Sequence, residues 1–382
     1  MKVVKNDSRI AFLDGLRGVA ILLVVLFHAY ANRPDLVPFG DTFAKFPVFA
    51  YGWLGVQLFF IISGFVIFMT LEKCHSFQEF ILRRWLRLFP AMLICSIIIL
   101  GTAPFLPERP AGVVFYRDLL PGLTFIAPDW WAKLLGFQIR SIEGSFWSLY
   151  VEVKFYVIFG TLYFVAGWRK ALVALIGFFC LSTIIVVVKK AAPTLDMHLM
   201  SKILGLADAR YYGWFAVGAL YYKYFREQRT TLLLYAMIIG FISALVEVQW
   251  HPRYSGLGWQ PTFFVILIVV FFTVAITNTR VQALLTRPSL LFIGFISYPL
   301  YLLHDNMMVA MIIKMGHQIP LVYGILIPLL PIAMVMGISW FVANYIEPWT
   351  REQIRLPYNR LCTLIGAVRS VNSAPSKQEI LK

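Results

Sequence analysis

A charge and an imidazole lie inside the first apolar run of this sequence. Arg17 and His28 both fall in FLDGLRGVAILLVVLFHAY, residues 12–30. Eleven residues of helix from position 17 to position 28 make about three turns, so the two side chains would share one face about 16 Å apart. Asp14 precedes Arg17 by one turn and can pair with it. We therefore expect this helix face to point into the bundle interior or into a water-filled cavity, where His28 could act as a base. The alternative is a snorkelling arginine and a structural histidine.

Three arginines lie together in FILRRWLRLFP, residues 80–90. Arg83 and Arg87 are four residues apart and would stack on one helix face, with Arg84 beside them. Guanidinium groups bind phosphate bidentately, so this cluster indicates a site for a phosphorylated ligand. The alternative is a plain basic anchor at the inner membrane face.

Two further titratable residues occur at about the depth of His28 in other apolar runs. Glu152 lies in GSFWSLYVEVKFYVIFG, residues 144–160, and His304 in FIGFISYPLYLLHDN, residues 292–306. A carboxylate beside His28 would set its tautomer and raise its basicity, and Glu152 is the predicted partner. Lys154 is expected to snorkel, and Glu143 to be solvated in a loop.

No other site motif is present. The sequence contains no P-loop, HExxH, EF-hand loop or dinucleotide fingerprint. Its four cysteines show no paired metal-ligand spacing, so no metal is expected.

The elements that must hold these residues are membrane helices. The chain is 60% hydrophobic and only 14% charged, against about 25% charged residues in soluble domains. This composition excludes a soluble globule. The net charge of +15 is explained by basic loops at an anionic membrane face, and nucleic-acid binding is not expected.

The apolar runs predict an all-α, polytopic membrane bundle of about ten transmembrane helices. The ninth and tenth are long enough to be tilted or broken, with Pro299, Pro320, Pro328 and Pro331 as the predicted kinks. The predicted spans are residues 11–31, 53–71, 89–106, 146–166, 171–188, 209–224, 231–249, 261–277, 289–313 and 319–346.

Charge asymmetry predicts that both termini are cytoplasmic. Of the 34 Lys and Arg residues, 20 then fall on inner segments, 12 on outer segments, and Arg17 and Lys154 within spans. Residues 1–346 would form the membrane domain and residues 347–382 a basic cytoplasmic tail. An alternative for the N-terminus is a signal peptide cleaved after AYA, residues 29–31. Asp14 ahead of the apolar run favours a retained helix.

Six segments in order resemble the acyltransferase-3 family of bacterial membrane O-acyltransferases. The resemblance covers nearly the whole chain and rests most on the spacing of Arg17 and His28 and on the arginine cluster. The six are FLDGLRGVAILLVVLFHA, VQLFFIISGFVIF, FILRRWLRLFP, SFWSLYVEVKFY, YGWFAVGALYY and SYPLYLLHDN.

The resemblance implies an acyl-CoA donor, usually acetyl-CoA, drawn from the cytoplasm at the bacterial inner membrane. It implies an acceptor hydroxyl on a surface or exported saccharide, such as an exopolysaccharide, an O-antigen or a lipo-oligosaccharide. The family's motif positions are occupied here by Arg17, His28, Arg83, Arg84, Arg87, Glu152 and His304. Val153 and Lys154 stand where the family usually has a second acidic or polar residue, which puts a second carboxylate role in doubt.

These expectations combine into one scheme. The cluster of Arg83, Arg84 and Arg87 would hold the CoA phosphates, and the pantetheine arm would follow the face between Arg17 and His28. His28 would remove the acceptor's proton, either directly or through an acyl-His28 intermediate. His304 would stabilise the oxyanion or bind the acceptor.

Two other functions remain open from the sequence. One is a transporter of a lipid or glycan, which predicts an inverted repeat that we do not find. The other is a non-catalytic subunit of a membrane assembly. The sequence does not indicate the oligomeric state.

Overall fold

The computed structural model describes residues 10–192, 197–250, 259–316, 318–320 and 323–353, and these contain helices and no strands. Eight helices are long and apolar enough to cross a membrane, and a bent pair, Thr279–Leu285 with Pro288–Leu303, would make a ninth crossing. The predicted all-α membrane bundle is therefore confirmed, whereas the count of ten and the orientation stay predictions.

The first half of the chain forms eight helices, of which five are long. They are α1 (Ala11–Tyr30), α2 (Pro47–Ala50), α3 (Gly55–Leu71), α4 (Phe77–Thr102), α5 (Leu119–Thr124), α6 (Pro128–Leu135), α7 (Trp147–Ala166) and α8 (Trp168–Ala191).

The second half forms eight more. They are α9 (His198–Leu206), α10 (Tyr212–Glu227), α11 (Thr230–Trp250), α12 (Gln260–Thr277), α13 (Thr279–Leu285), α14 (Pro288–Leu303), α15 (Asn306–Gly316) and α16 (Leu329–Phe341). A π-helical turn, Val342–Ile346, continues α16, and this helix runs on to Gln353.

Two predicted helix starts differ from the structure by ten residues or more. The third span begins at Phe77 rather than residue 89, because Ser76 caps the helix by accepting a hydrogen bond from the Glu79 amide. The arginine cluster is therefore inside α4 and not at its entrance. The tenth span begins at Leu329 rather than residue 319. The predicted tail, residues 347–382, lies outside the described residues from position 354 onward.

The ninth predicted span is broken, but not at its proline. Pro299 lies inside α14, and the helix stops at Leu303. His304 and Asp305 form a turn before α15 begins at Asn306. A break at membrane depth is tolerated where protein groups satisfy the freed backbone.

Helix α1 packs between α3 and α14, and small residues set its distance from α14. A Cβ on Gly294 of α14 would lie 1.9 Å from the Asp14 carbonyl oxygen of α1. Gly218 of α10 meets α3 in the same way, since a Cβ there would lie 1.9 Å from the Ile61 carbonyl oxygen. Such contacts let membrane helices approach closely and gain van der Waals energy.

We refer to the end of the bundle that carries Ala11 as the inner end, and to the end that carries Tyr30 as the outer end. Helix α1 thus holds Arg17 towards the inner end and His28 near the outer end.

The contact between Gly294 and α1 predicts a destabilised variant. Gly294→Ala should lower the thermal unfolding midpoint of the detergent-solubilised protein, because the added methyl group must push α14 from α1, an overpacking that costs about 1–3 kcal/mol. Gly177→Ala in α8 is the matched control, since a Cβ there meets no atom within 4 Å. Equal midpoints for the two variants would contradict the close packing.

Candidate active site

Two histidines and an aspartate meet near the outer end of the bundle. The ring centroids of His28 and His304 are 4.6 Å apart, and the rings are nearly perpendicular. His28 Nε2 lies 3.9 Å from Asp305 Oδ1. Each histidine also places Nδ1 on a backbone carbonyl, His28 at 2.9 Å from Val24 O and His304 at 2.8 Å from Tyr301 O. The structure thus brings together His28 and His304, which were both predicted to be catalytic, with Asp305, which was not.

These backbone contacts determine where each imidazole can accept a proton. A carbonyl oxygen only accepts, so Nδ1 must carry the hydrogen in each bond. The neutral ring then has a bare Nε2, which is the form that accepts a proton. His304 Nε2 and Asp305 Oδ1 are both buried and hydrogen-bond to none of the described residues. The cluster therefore presents unpaired acceptors to any hydroxyl that enters.

The turn between α14 and α15 positions Asp305. The Ser145 amide donates to Asp305 Oδ2 at 2.9 Å, and the Asn306 amide donates to Glu143 Oε2 at 2.6 Å. The second bond satisfies a free N–H at the start of α15. Residues 143–145, which precede α7, therefore hold the broken helix in place.

Glu143 is a buried partner and not the solvated loop residue that we predicted. Its side chain is 0% exposed and lies 3.1 Å from Arg109 Nη2, whose guanidinium also donates to the Ile142 carbonyl at 2.9 Å. Burial raises the pKa of Glu143 to about 8, although the Arg109 guanidinium and the Asn306 amide act to lower it. Arg109 and Glu143 thus tie the loop before α5 to the turn that holds Asp305.

Glu152 does not occupy the position beside His28 that the sequence suggested. Its Oε1 accepts hydrogen bonds from the hydroxyls of Ser63 and Tyr156. In the structure, the carboxylate beside the His28 ring is that of Asp305. Lys154, expected to snorkel, instead pairs with Asp208 at 2.7 Å.

The arginines that gather at the inner end are Arg17, Arg84 and Arg87, rather than the predicted trio of Arg83, Arg84 and Arg87. All three line a small cavity of about 80 Å³, which also contains Glu152. Arg83 points away from this cavity, is half exposed and pairs with Glu79 at 2.6 Å. Residues three and four positions apart both share a helix face, so either Arg84 or Arg83 could lie beside Arg87. Helix packing places Arg84 in the cavity and leaves Arg83 at the surface.

The three guanidinium groups are only partly neutralised. Arg17 pairs with Asp14 at 2.9 Å, as the sequence predicted, and Arg84 donates to the Thr70 hydroxyl at 2.9 Å. Arg84 Nε is buried without a partner, and Arg87 makes no hydrogen bond or ion pair with any residue that the structure describes. The site can therefore bind an anion.

Two adjoining cavities lie between the inner end and Tyr301. A larger cavity of about 940 Å³ lies between α1, α14 and the end of α16, and Arg17, Arg87 and Tyr298 line both it and the small cavity. Tyr301 lines the far side of the small cavity, and its ring centroid lies 5.2 Å from that of His304. Arg17 borders both cavities, whereas His28 borders neither and lies beyond Tyr301.

Sequence reasoning missed Asp305 as a partner of His28. The residue is adjacent to His304, and in an unbroken helix adjacent side chains point about 100° apart. The only signal was the polar triplet His304–Asp305–Asn306 inside an apolar run. Such a triplet is costly within a continuous membrane helix, and it marks the break.

The chain is similar to known acyltransferases over most of its length. Residues 10–344 match a family model described as an acyltransferase domain. The chain is 25% identical over 331 residues to a Staphylococcus aureus (strain COL) protein named "Putative O-acetyltransferase", covering 78% of this chain and 51% of that protein. It thus spans about half the length of the Staphylococcus relatives that it matches.

Two shorter matches have related names. One is "O-acetyl transferase" of Shigella phage Sf6, 31% identical over 38% of this chain and 44% of that protein. The other is "Putative membrane-bound transacylase BcsY" of Komagataeibacter xylinus, 29% identical over 41% of this chain and 39% of that protein. No solved structure matches the chain.

The family model covers most of the chain, including the helices that carry the two histidines and the three inner arginines. This multi-pass membrane protein therefore belongs to the acyltransferase-3 family.

Proposed function

We propose that this protein transfers an acyl group, usually acetyl, from acyl-CoA to a hydroxyl of a cell-surface or exported saccharide at the bacterial inner membrane. The relatives named as O-acetyltransferases support the transfer of acetyl to oxygen. The observation that carries the proposal is the cluster of His28, His304 and Asp305 beyond a cavity lined by arginines.

The inner arginines are the proposed site for the phosphates of CoA. Three guanidinium groups and one carboxylate line the small cavity, which leaves an excess of positive charge for an anionic donor. Guanidinium binds phosphate through paired N–H groups, and a low-dielectric setting strengthens that attraction. Arg17 and His28 are separated by about 16 Å along α1, a distance that an extended pantetheine arm can bridge.

His28 is the proposed general base. The acceptor hydroxyl gives its proton to Nε2 of His28 as its oxygen forms a bond to the acyl carbon. The carbon–sulfur bond then breaks, the CoA sulfur leaves with the electron pair, and the proton on His28 passes to it, which regenerates the base. The carboxylate of Asp305, 3.9 Å from Nε2, favours the imidazolium that forms in between.

His304 is assigned to the acceptor and not to the oxyanion. Because its Nδ1 is directed at the Tyr301 carbonyl, a neutral His304 has only an acceptor at Nε2. Such a nitrogen can bind the acceptor's hydroxyl but cannot donate to an oxyanion. Glu152, bonded to Ser63 and Tyr156, is assigned a role in the shape and charge of the donor cavity.

Loss of the base tests the reaction. His28→Ala should lower acetyl transfer by about 10²–10⁴-fold, the usual contribution of a general base, with normal abundance in the membrane. Membranes would be incubated with radiolabelled acetyl-CoA and the host's saccharides, and ester released by mild base would be counted. His75→Ala, at an exposed histidine, serves as the control. Near-normal turnover in His28→Ala would exclude this residue as the base.

The two neighbouring arginines of α4 separate donor binding from anchoring. Arg84→Lys should raise the dissociation constant of CoA about tenfold, since lysine cannot form the paired contact that guanidinium makes. Arg83→Lys, on the exposed face and paired with Glu79, should bind CoA as the unmodified protein does. Isothermal titration of the purified proteins with CoA measures both. Equal affinities in the two variants would place the CoA phosphates elsewhere.

Asp305 has a positioning and charge role that a pH profile can reveal. Asp305→Asn keeps an oxygen for the Ser145 amide but removes the charge beside His28. The imidazolium then loses stabilisation, so the acidic limb of the rate profile should move to lower pH while the maximal rate falls. Acetyl transfer followed from pH 5 to 9 gives both quantities. An unchanged acidic limb would mean that Asp305 acts only on the fold.

A further inference from the structure

A second large cavity opens at the outer end of the bundle, on the side away from the inner arginines. Its volume is about 660 Å³, and it lies between α6, α7, the segment 205–211 and α11. None of its lining residues lines the small arginine cavity or the larger inner one. The outer cleft is therefore separate from the two inner cavities to which the donor is assigned.

The outer cleft reaches the catalytic cluster at one residue. Gly144 lines the cleft, and a Cβ on Gly144 would lie 2.8 Å from Asp305 Oδ2. The Asp305 carboxylate therefore packs directly against Gly144, and this residue alone separates it from the cleft. Asp305 in turn lies 3.9 Å from His28 Nε2. The cleft therefore adjoins, through Gly144, the same cluster that the small inner cavity adjoins through Tyr301.

Charge distinguishes the outer cleft from the donor cavity. Six charged side chains line it, three acidic and three basic: Asp129, Asp208, Glu247, Lys133, Lys154 and Arg210. Several are already paired, Lys154 with Asp208 at 2.7 Å and Glu247 with the Trp214 indole N–H at 3.2 Å. A wall without net charge has no preference for an anion, whereas its polar atoms can still bond hydroxyl groups.

Aromatic rings supply the apolar part of the outer cleft. Trp130 is 47% exposed and Trp147 is 40% exposed, and both line it. The flat, electron-rich face of an indole suits the C–H face of a sugar ring. Trp131, the neighbour of Trp130, does not line the cleft, and its indole N–H donates to the Thr124 hydroxyl at 3.0 Å.

We propose that the outer cleft binds the saccharide acceptor as a neutral sugar unit, with Trp130 and Trp147 beneath the ring and the hydroxyl to be acylated directed past Gly144 towards His28. This inference rests on the proposed function and identifies its acceptor site. Donor and acceptor then enter separate cavities from opposite ends of the bundle.

The test uses the full-length protein and the saccharide extracted from a host strain that lacks it. In membranes with radiolabelled acetyl-CoA and limiting saccharide, the double variant Trp130→Ala with Trp147→Ala should form base-labile ester at least tenfold more slowly than the unmodified protein. Its affinity for CoA, measured on the purified protein, should stay within twofold. Trp131→Ala should match the unmodified protein in both measurements. Mass spectrometry of the product should locate the ester on a neutral sugar.

Each contrary result has its own meaning. If the unmodified protein forms no more ester than membranes of the deletion strain, the proposed function fails and the acceptor site fails with it. If it forms ester and the double variant does so at the same rate, only the acceptor site is wrong. An equal loss in Trp131→Ala, or a parallel loss of CoA affinity, would also overturn the site. Ester on a uronic acid or a phosphorylated sugar would overturn the preference for a neutral unit.

Discussion

The break between α14 and α15 is the feature on which the outer site depends. In an apolar bundle the freed backbone groups of a broken helix must find protein partners, since water and lipid offer none at that depth. Glu143 and Ser145 are tied to this turn, Glu143 by accepting from the Asn306 amide and Ser145 by donating to Asp305. The same turn directs His304 and Asp305 at His28. The contacts that hold the turn between α14 and α15 therefore also assemble the cluster of His28, His304 and Asp305.

Close helix packing brings the other components to this turn. Helix α1 approaches α14 at Gly294, and the side chains of Arg17 and His28 are only 17% and 14% exposed. A charged side chain within a membrane span is costly, and pairing of Arg17 with Asp14 offsets part of that cost. The bundle thus keeps a cationic inner cavity and a histidine cluster along a single helix.

The charges of the cavities suit the proposed division of labour. The small inner cavity has an excess of guanidinium groups, which matches an anionic donor, and the outer cleft is balanced and aromatic, which matches a neutral sugar. Because the cavities share no lining residue, each can bind its ligand without displacing the other. The reacting atoms would meet at His28, where a proton acceptor lies next to a carboxylate.

Composition and hydrophobic runs determined the class of this protein, because a chain with so few charges cannot form a soluble domain. Spacing along one helix also determined that Arg17 pairs with Asp14 and shares a face with His28, since that geometry is local. The tertiary structure decided what lies opposite that face. Helix packing placed Arg84 and not Arg83 in the inner cavity, and it placed Asp305 and not Glu152 beside His28. It also buried Glu143, which the sequence had suggested to be solvated. Contacts between distant segments depend on helix packing and on where α14 breaks, and neither is encoded in local periodicity.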